Sequence, residues 1–410
     1  MALILRRLTK YSGGYATAAL RRATSTAAQT PDTRDPQAIT VSRQAFTRFA
    51  VDATGSSSLI PCTHDLTTLL TSNHVRISPA GLQELSHAFA RINTVSAPVG
   101  PAMEGWRTQA LERFQGDLND MTRVARVLGR TARNRSLAHA LLKVAGEEGH
   151  RDALHYYAVL LGARVIRQEG GQTLGSQWIE QLARGGHAMS ALALADAGMH
   201  RGTPSGVRLA VDWARRAGGM SEAPPVVFRV AEILRRAGEH NEAAAWYERA
   251  GRMGVAEAHF ALGGMWRDGL LVADKGAERA FGCFERAAMG GVAEAQFNAG
   301  VCYMAGTGVP SPSARLAAEY WAMAAAQRFP AAALNLGMLC AAGARGFDRD
   351  VRRARAMLDL AVDSAGGQGR VAELARDALR ALDGQEPGGV RGAWRRVADG
   401  VRRMAGWRQS

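Results

Sequence analysis

The residue types that could do chemistry are scattered along this chain. Its ten histidines include no H-E-x-x-H pair and no His/Cys cluster at ligand spacing, so the patterns of a metalloprotease or zinc module are missing. The four cysteines, Cys62, Cys283, Cys302 and Cys340, form no C-x-x-C pair. Reduced, mostly buried thiols are the expectation, with no disulfide framework. Gly306-Thr307-Gly308 looks like a fragment of a phosphate loop, but no strand precedes it and no Lys-Ser/Thr follows, so it reads as a loop between helices. Glu147-Glu148 beside His150, and Asp348 with Asp350, are paired acids of the kind that acid/base catalysis uses. Acids also collect at helix ends for electrostatic reasons, and solvated helix ends are the expected role here. No nucleophile, base and orienting group come together. The chain is expected to be no enzyme and to hold no cofactor and no metal.

What the sequence does contain is a period. Ala256–Gly263 reads AEAHFALG, Ala293–Gly300 reads AEAQFNAG and Pro330–Gly337 reads PAAALNLG, at intervals of 37 residues. Tyr247-Glu-Arg-Ala250 and Phe284-Glu-Arg-Ala287 repeat at the same interval, as do Gly149-His150 and Gly186-His187. Six units follow, at 149–185, 186–222, 223–253, 254–290, 291–327 and 328–364. Each has two helical halves joined by a Gly-containing loop. In the fifth unit Ala295, Ala299, Cys302 and Tyr303 share one face of the first helix, and Gly306 to Pro310 stops it. Leu316, Tyr320 and Met323 are placed on the inner face of the second helix. Small residues such as Ala258, Gly300 and Ala333 let neighbouring helices approach. One hairpin cannot bury such a face, whereas a stack can.

Composition agrees with an all-α chain. The 410 residues are 47% hydrophobic but only 6% aromatic, which suits closely packed helices better than a sandwich of β-sheets. The pattern A-E-A-x-F-x-x-G, a G-x-G-V loop and a Tyr/Trp-containing helix ending in A-A resemble the Sel-one-like repeat family, kin of the tetratricopeptide repeats. The likeness is good over 254–328, fair over 223–253 and 329–364, and weak over 149–222. There the loops depart from the pattern and Pro224-Pro225 interrupts one boundary, so those units are similar to plain tetratricopeptide hairpins. The resemblance implies a right-handed α-solenoid used as an adaptor in assembly complexes, and implies no activity.

The formal net charge of +14 is concentrated at the ends. Residues 1–31 carry Arg6, Arg7, Lys10, Arg21 and Arg22 with no acid, and residues 388–410 carry six arginines against Asp399. The acid-free, Arg- and Ser/Thr-rich start has Leu3, Ile4, Leu8 and Tyr11 able to share one helical face. It lacks the uninterrupted apolar core of a secretory signal and has the composition of a mitochondrial transit peptide. At the other end, Val390, Trp394, Val397, Val401 and Met404 form an apolar stripe at helical spacing. Arg391, Arg395, Arg396, Arg402, Arg403 and Arg408 lie around it, with Trp407 near the end. Such a basic amphipathic helix either contacts an anionic membrane or RNA, or caps the array with its arginines in solvent. The candidate contact residues are Arg391, Trp394, Arg395, Arg396, Arg402, Arg403 and Trp407. No apolar run approaches the ~18 residues of a membrane span.

The expected organisation is therefore a transit peptide at 1–31, a linker at 32–78, N-terminal helices at 79–148, the repeat array at 149–386 and a basic helix at 387–410. Residues 79–148 open with Ser78-Pro79, and Leu82, Leu85, Phe89 and Ile92 keep helical spacing. The expected function is a non-catalytic mitochondrial adaptor or assembly factor. It would bind a polypeptide segment in the groove of the solenoid, in the matrix or at the matrix face of the inner membrane. In architecture, leader and size the chain is similar to the fungal mitochondrial tetratricopeptide proteins that help a cytochrome oxidase subunit cross and assemble there. The alternative is an RNA- or mitoribosome-associated factor, with arginines on phosphate.

Overall fold

The computed structural model describes residues 77–93, 101–129, 135–163, 171–271 and 275–384. Among these residues the regular structure is α-helical, with one isolated bridge between Ala344 and Phe347. The chain divides into two compact units between Glu222 and Ala223.

In the first unit the helices are α1 (Pro79–Asn93), α2 (Pro101–Arg113), α3 (Leu118–Leu128), α4 (Arg135–Glu147), α5 (Arg151–Gly162), α6 (Gly171–Arg184), α7 (Ala188–Arg201) and α8 (Pro204–Met220). They pack as four successive hairpins, α1/α2 to α7/α8. Leu85, Trp106, Phe114, Met121, Leu128, Leu141 and Leu161 are buried in a core that runs from α1 to α5. The Trp106 indole N–H finds the Leu85 carbonyl at 3.3 Å, as a buried indole requires. The helix starts follow from the sequence. Ser78 Oγ accepts the Gly81 N–H at 3.0 Å, Asp117 caps α3, and Thr203 caps α8 with Pro204 in the first turn.

The second unit contains α9 (Pro224–Ala237), α10 (His240–Arg252), α11 (Ala256–Arg267), α12 (Gly276–Met289), α13 (Ala293–Ala305), α14 (Ala314–Ala326), α15 (Pro330–Ala342), α16 (Val351–Ser364) and α17 (Gly369–Leu382). The hairpins are α9/α10, α11/α12, α13/α14 and α15/α16, and α17 closes on α16 and α15. Pro224-Pro225 opens α9, because proline at the first helical positions forfeits no hydrogen bond.

The period has a physical cause at one register position. A Cβ on Gly263 would lie 2.8 Å from the Phe284 ring, one on Gly300 2.5 Å from the Trp321 indole nitrogen, and one on Gly337 2.9 Å from Leu358. Each first helix thus offers a bare backbone that receives the large side chain of its own second helix. Trp321 also donates its indole N–H to Phe297 O at 3.2 Å. This revises the inner face expected for α14. Its buried side is Ala317, Ala318, Tyr320, Trp321, Ala324 and Ala325, while Leu316 and Met323 are only half-buried. The Gly300 socket draws the indole inward and turns the helix about its axis. Likewise α13 is buried on every side from Ala295 to Tyr303, and α15 from Ala332 to Ala341. Helices enclosed by neighbours carry no one-sided stripe.

Candidate partner-binding face

Successive first helices meet through polar contacts that the period does not announce. In the first unit His150 caps α5, its Nδ1 accepting the Ala153 N–H at 3.1 Å, and its Nε2 lies 2.9 Å from Asn119 Oδ1 on α3. One repeat later His187 caps α7, its Nδ1 accepting the Ser190 N–H at 3.2 Å, and its Nε2 lies 2.8 Å from Asp152 Oδ1 on α5. The Gly-His echo in the sequence is thus a pair of histidine caps, each tied to the preceding first helix. An accepting Nδ1 leaves the ring proton on Nε2, where it is donated to the oxygen.

Asp152, His187 and Ser190 line up like an acid, base and nucleophile, with Ser190 Oγ 2.8 Å from His187 Nδ1. Two features remove that reading. Ser190 is fully buried, so no substrate reaches its hydroxyl. The Nδ1 that a general base would use is already occupied by the backbone N–H. The hydroxyl turns to His155 Nδ1, 2.9 Å away. Burial, helped by the neighbouring His187, pushes the His155 imidazole down to about 4, so it is neutral in the fold.

The other chemically suggestive groups have structural partners. Arg107 pairs with Glu147 at 3.5 Å and Glu148 at 2.5 Å. Asp350 caps α16, accepting the Arg353 N–H at 2.9 Å. Gly306 ends α13 in the left-handed region, and a side chain on Gly308 would strike the Ala277 carbonyl. This loop therefore clasps the first turn of α12 in the preceding repeat and leaves no cradle for phosphate. Cys283, Cys302 and Cys340 are unpaired and buried. Burial pushes the Cys302 thiol up to about 12 and the Cys283 thiol up to about 11. Cys62 lies outside the described residues.

Between first helices, two kinds of surface result. In the second unit Arg267 Nη1 reaches Asn298 Oδ1 at 3.5 Å, while Asn298 Nδ2 donates to Glu294 O at 2.7 Å. The same position one repeat on is Asn335, 2% exposed, and this face is closed. In the first unit it is open. The Arg126 guanidinium on α3 lies 4.5 Å above the Tyr156 ring on α5, Arg126 is exposed, and one turn beyond Tyr156 Val159 is 37% exposed. A stacked guanidinium keeps its N–H donors in the ring plane, free to meet a carboxylate. Arg123, one turn earlier, leans 3.5 Å from Asp120. Neither Arg126 nor Tyr156 carries a motif, because the pair forms only once two repeats stack.

The sequence-derived contact residues Arg391, Trp394, Arg395, Arg396, Arg402, Arg403 and Trp407 lie outside the described residues, as do the leader and most of the 32–78 segment. Among the described residues no helix is long and apolar enough to cross a membrane, and no group of His, Cys, Asp or Glu could hold a metal ion.

Stacked helical hairpins at a regular interval, with faces built between repeats, define a helical-repeat solenoid. The repeats are of one recognised kind: residues 238–255, 256–292, 293–329 and 330–365 match the Sel1 repeat, a module that generally serves as a protein-interaction adaptor. No curated protein matches the chain. Among solved structures it is similar to a protective antigen with an SLR fold from uropathogenic Escherichia coli, at 16% identity and a TM-score of 0.49, over 83% of this chain and 73% of that one. It is also similar to a Sel1 repeat protein from Oxalobacter formigenes, at 21% identity and a TM-score of 0.47, over 82% of this chain and all of that one.

Proposed function

We propose that this chain is a non-catalytic mitochondrial adaptor that holds a polypeptide segment on the first-helix face of its α1–α8 unit. The observation that carries the reading is the Arg126–Tyr156 stack with Val159 exposed beside it. Together they suit a segment that offers a carboxylate to the guanidinium and an aliphatic side chain to Val159. The Sel1 repeats support a role in protein interaction. The acid-free basic leader supports mitochondrial import, and the basic 388–410 segment supports work at the matrix face of the inner membrane. There the adaptor would assist assembly of a membrane complex such as cytochrome oxidase. Immunoprecipitation from crosslinked mitochondria tests this, comparing the native chain with Arg126→Glu/Tyr156→Ala. The reading expects a polypeptide partner, resistant to RNase, to be captured by the first and lost from the second at unchanged thermal stability. Equal capture by both, or a matrix protein whose removal leaves oxidase levels unchanged, would contradict it.

A further inference from the structure

The turn between α15 and α16 forms a surface that neither the repeat packing nor the first-helix face uses. It passes through Gly343 and Gly346, at φ of 69° and 77°, and closes on the bridge between Ala344 and Phe347. This turn and the first turn of α16 present Arg345, Arg349, Arg352 and Arg353, all exposed. Arg349 is held by its Nε–H, which donates to Ala341 O at 3.0 Å. Of the two acids in the stretch, Asp350 is engaged as the cap of α16 and Asp348 is exposed, so the stretch is net positive. The side chains of Arg345, Arg352 and Arg353 have no ion-pair partner among the described residues. In their midst Val351 is 39% exposed.

A second observation bears on the same place. Asp383, just beyond α17, accepts from Arg355 Nη2 at 2.5 Å, and Arg355 lies one helical turn after Val351. The ion pair fixes the chain's exit from this unit against the first half of α16. The sequence that follows carries six arginines and one acid between 388 and 410, with Val390, Trp394, Val397 and Val401 at helical spacing.

We propose that Arg345, Arg352, Arg353 and Val351 form a docking surface for an anionic phospholipid membrane, continuous with the basic segment that leaves from Asp383. This rests on the reading of the chain as a peripheral protein of the inner membrane. Arginine alone would satisfy a phosphate polyanion such as RNA. An exposed valine among the arginines, and an apolar stripe in the segment beyond, gain free energy only where there is also an apolar phase. Each arginine close to an anionic surface is worth about fivefold in partitioning.

Vesicle flotation tests the proposal, using phosphatidylcholine vesicles with and without cardiolipin. The proteins are the full chain, Arg345→Glu/Arg352→Glu/Arg353→Glu, the chain ending at Asp383, and both changes together, each checked for an unchanged thermal midpoint. The full chain should float only with the anionic vesicles, and the triple variant should bind at least tenfold more weakly. The chain ending at Asp383 should keep measurable binding that the triple substitution then removes. The proposal is overturned if the triple variant binds like the native chain, or if ending the chain at Asp383 abolishes all binding. A full chain that ignores anionic vesicles, or prefers RNA at the same salt, overturns the peripheral-membrane reading along with it.

Discussion

The Trp321 indole rests on the bare backbone of Gly300 and donates its N–H to Phe297 O at 3.2 Å. That socket recurs at Gly263 and Gly337, and it explains why the glycine closes each A-E-A-x-F-x-x-G-like segment. Gly300→Ala forces the indole off its seat and should destabilise the chain by about 1–3 kcal/mol. Gly282, also in a helix but with nothing near its missing Cβ, is the contrast. Gly282→Ala should stabilise by about 0.5–1 kcal/mol through helix propensity. Urea denaturation of the two variants checks this, and equal effects would refute the socket.

The histidine cluster makes stability depend on pH. His155 is held at about 4 in the fold by burial, below its ordinary value near 6.5. The unfolded chain therefore takes up the proton first. Stability present above about pH 6.5 is lost as the pH falls from there through about 4, by an amount on the order of 2–3 kcal/mol. His139, also pushed down to about 4 by burial, adds a loss in the same window. Urea midpoints measured from pH 7 to pH 4 should fall less steeply for His155→Gln than for the native chain. Parallel slopes would show that His155 is not neutral in the fold.

The caps should be separable from the cluster. His187→Ala removes the acceptor for the Ser190 N–H and the link to Asp152, and should cost about 1–2 kcal/mol. His187→Asn keeps a capping acceptor and should recover more than half of that. Thermal unfolding of both reads the difference, and a His187→Asn variant no better than His187→Ala would place the stabilisation elsewhere.

Burial also governs the thiols. With Cys302 pushed up to about 12 and Cys283 up to about 11, little thiolate exists at neutral pH. Cys283, Cys302 and Cys340 should resist a maleimide under native conditions and react once denaturant is added. Peptide mapping after labelling checks each site. Rapid native labelling of Cys302 would contradict the packing of α13.

Much of this fold was legible in the sequence because its signal is local and repeated. The 37-residue interval and the helical spacing of Leu82, Leu85 and Phe89 are enough for an all-α stack of hairpins. The second-helix face of 314–326 was harder to read. Leu316 and Met323 are the larger apolar residues by spacing, but the socket at Gly300, on another helix, decides that Trp321 goes inward. The Gly149-His150 and Gly186-His187 echo was visible as repetition, yet a cap is recognised only when the ring nitrogen meets a backbone N–H. The Arg126–Tyr156 stack was invisible, since it joins two helices whose separation in sequence follows no motif. Polar residues between repeats take their meaning from the stack, and a single unit cannot disclose it.

The central claim is that a polypeptide partner sits on the face that carries Arg126, Tyr156 and Val159. A photo-crosslinking residue placed at Val159, in the full chain imported into mitochondria, tests it most directly, with the same residue at Arg208 on α8 as the comparison. The account predicts a discrete protein adduct at Val159 that survives RNase, is absent at Arg208 and disappears with Arg126→Glu. An adduct to RNA, or equal adducts at both positions, would contradict it.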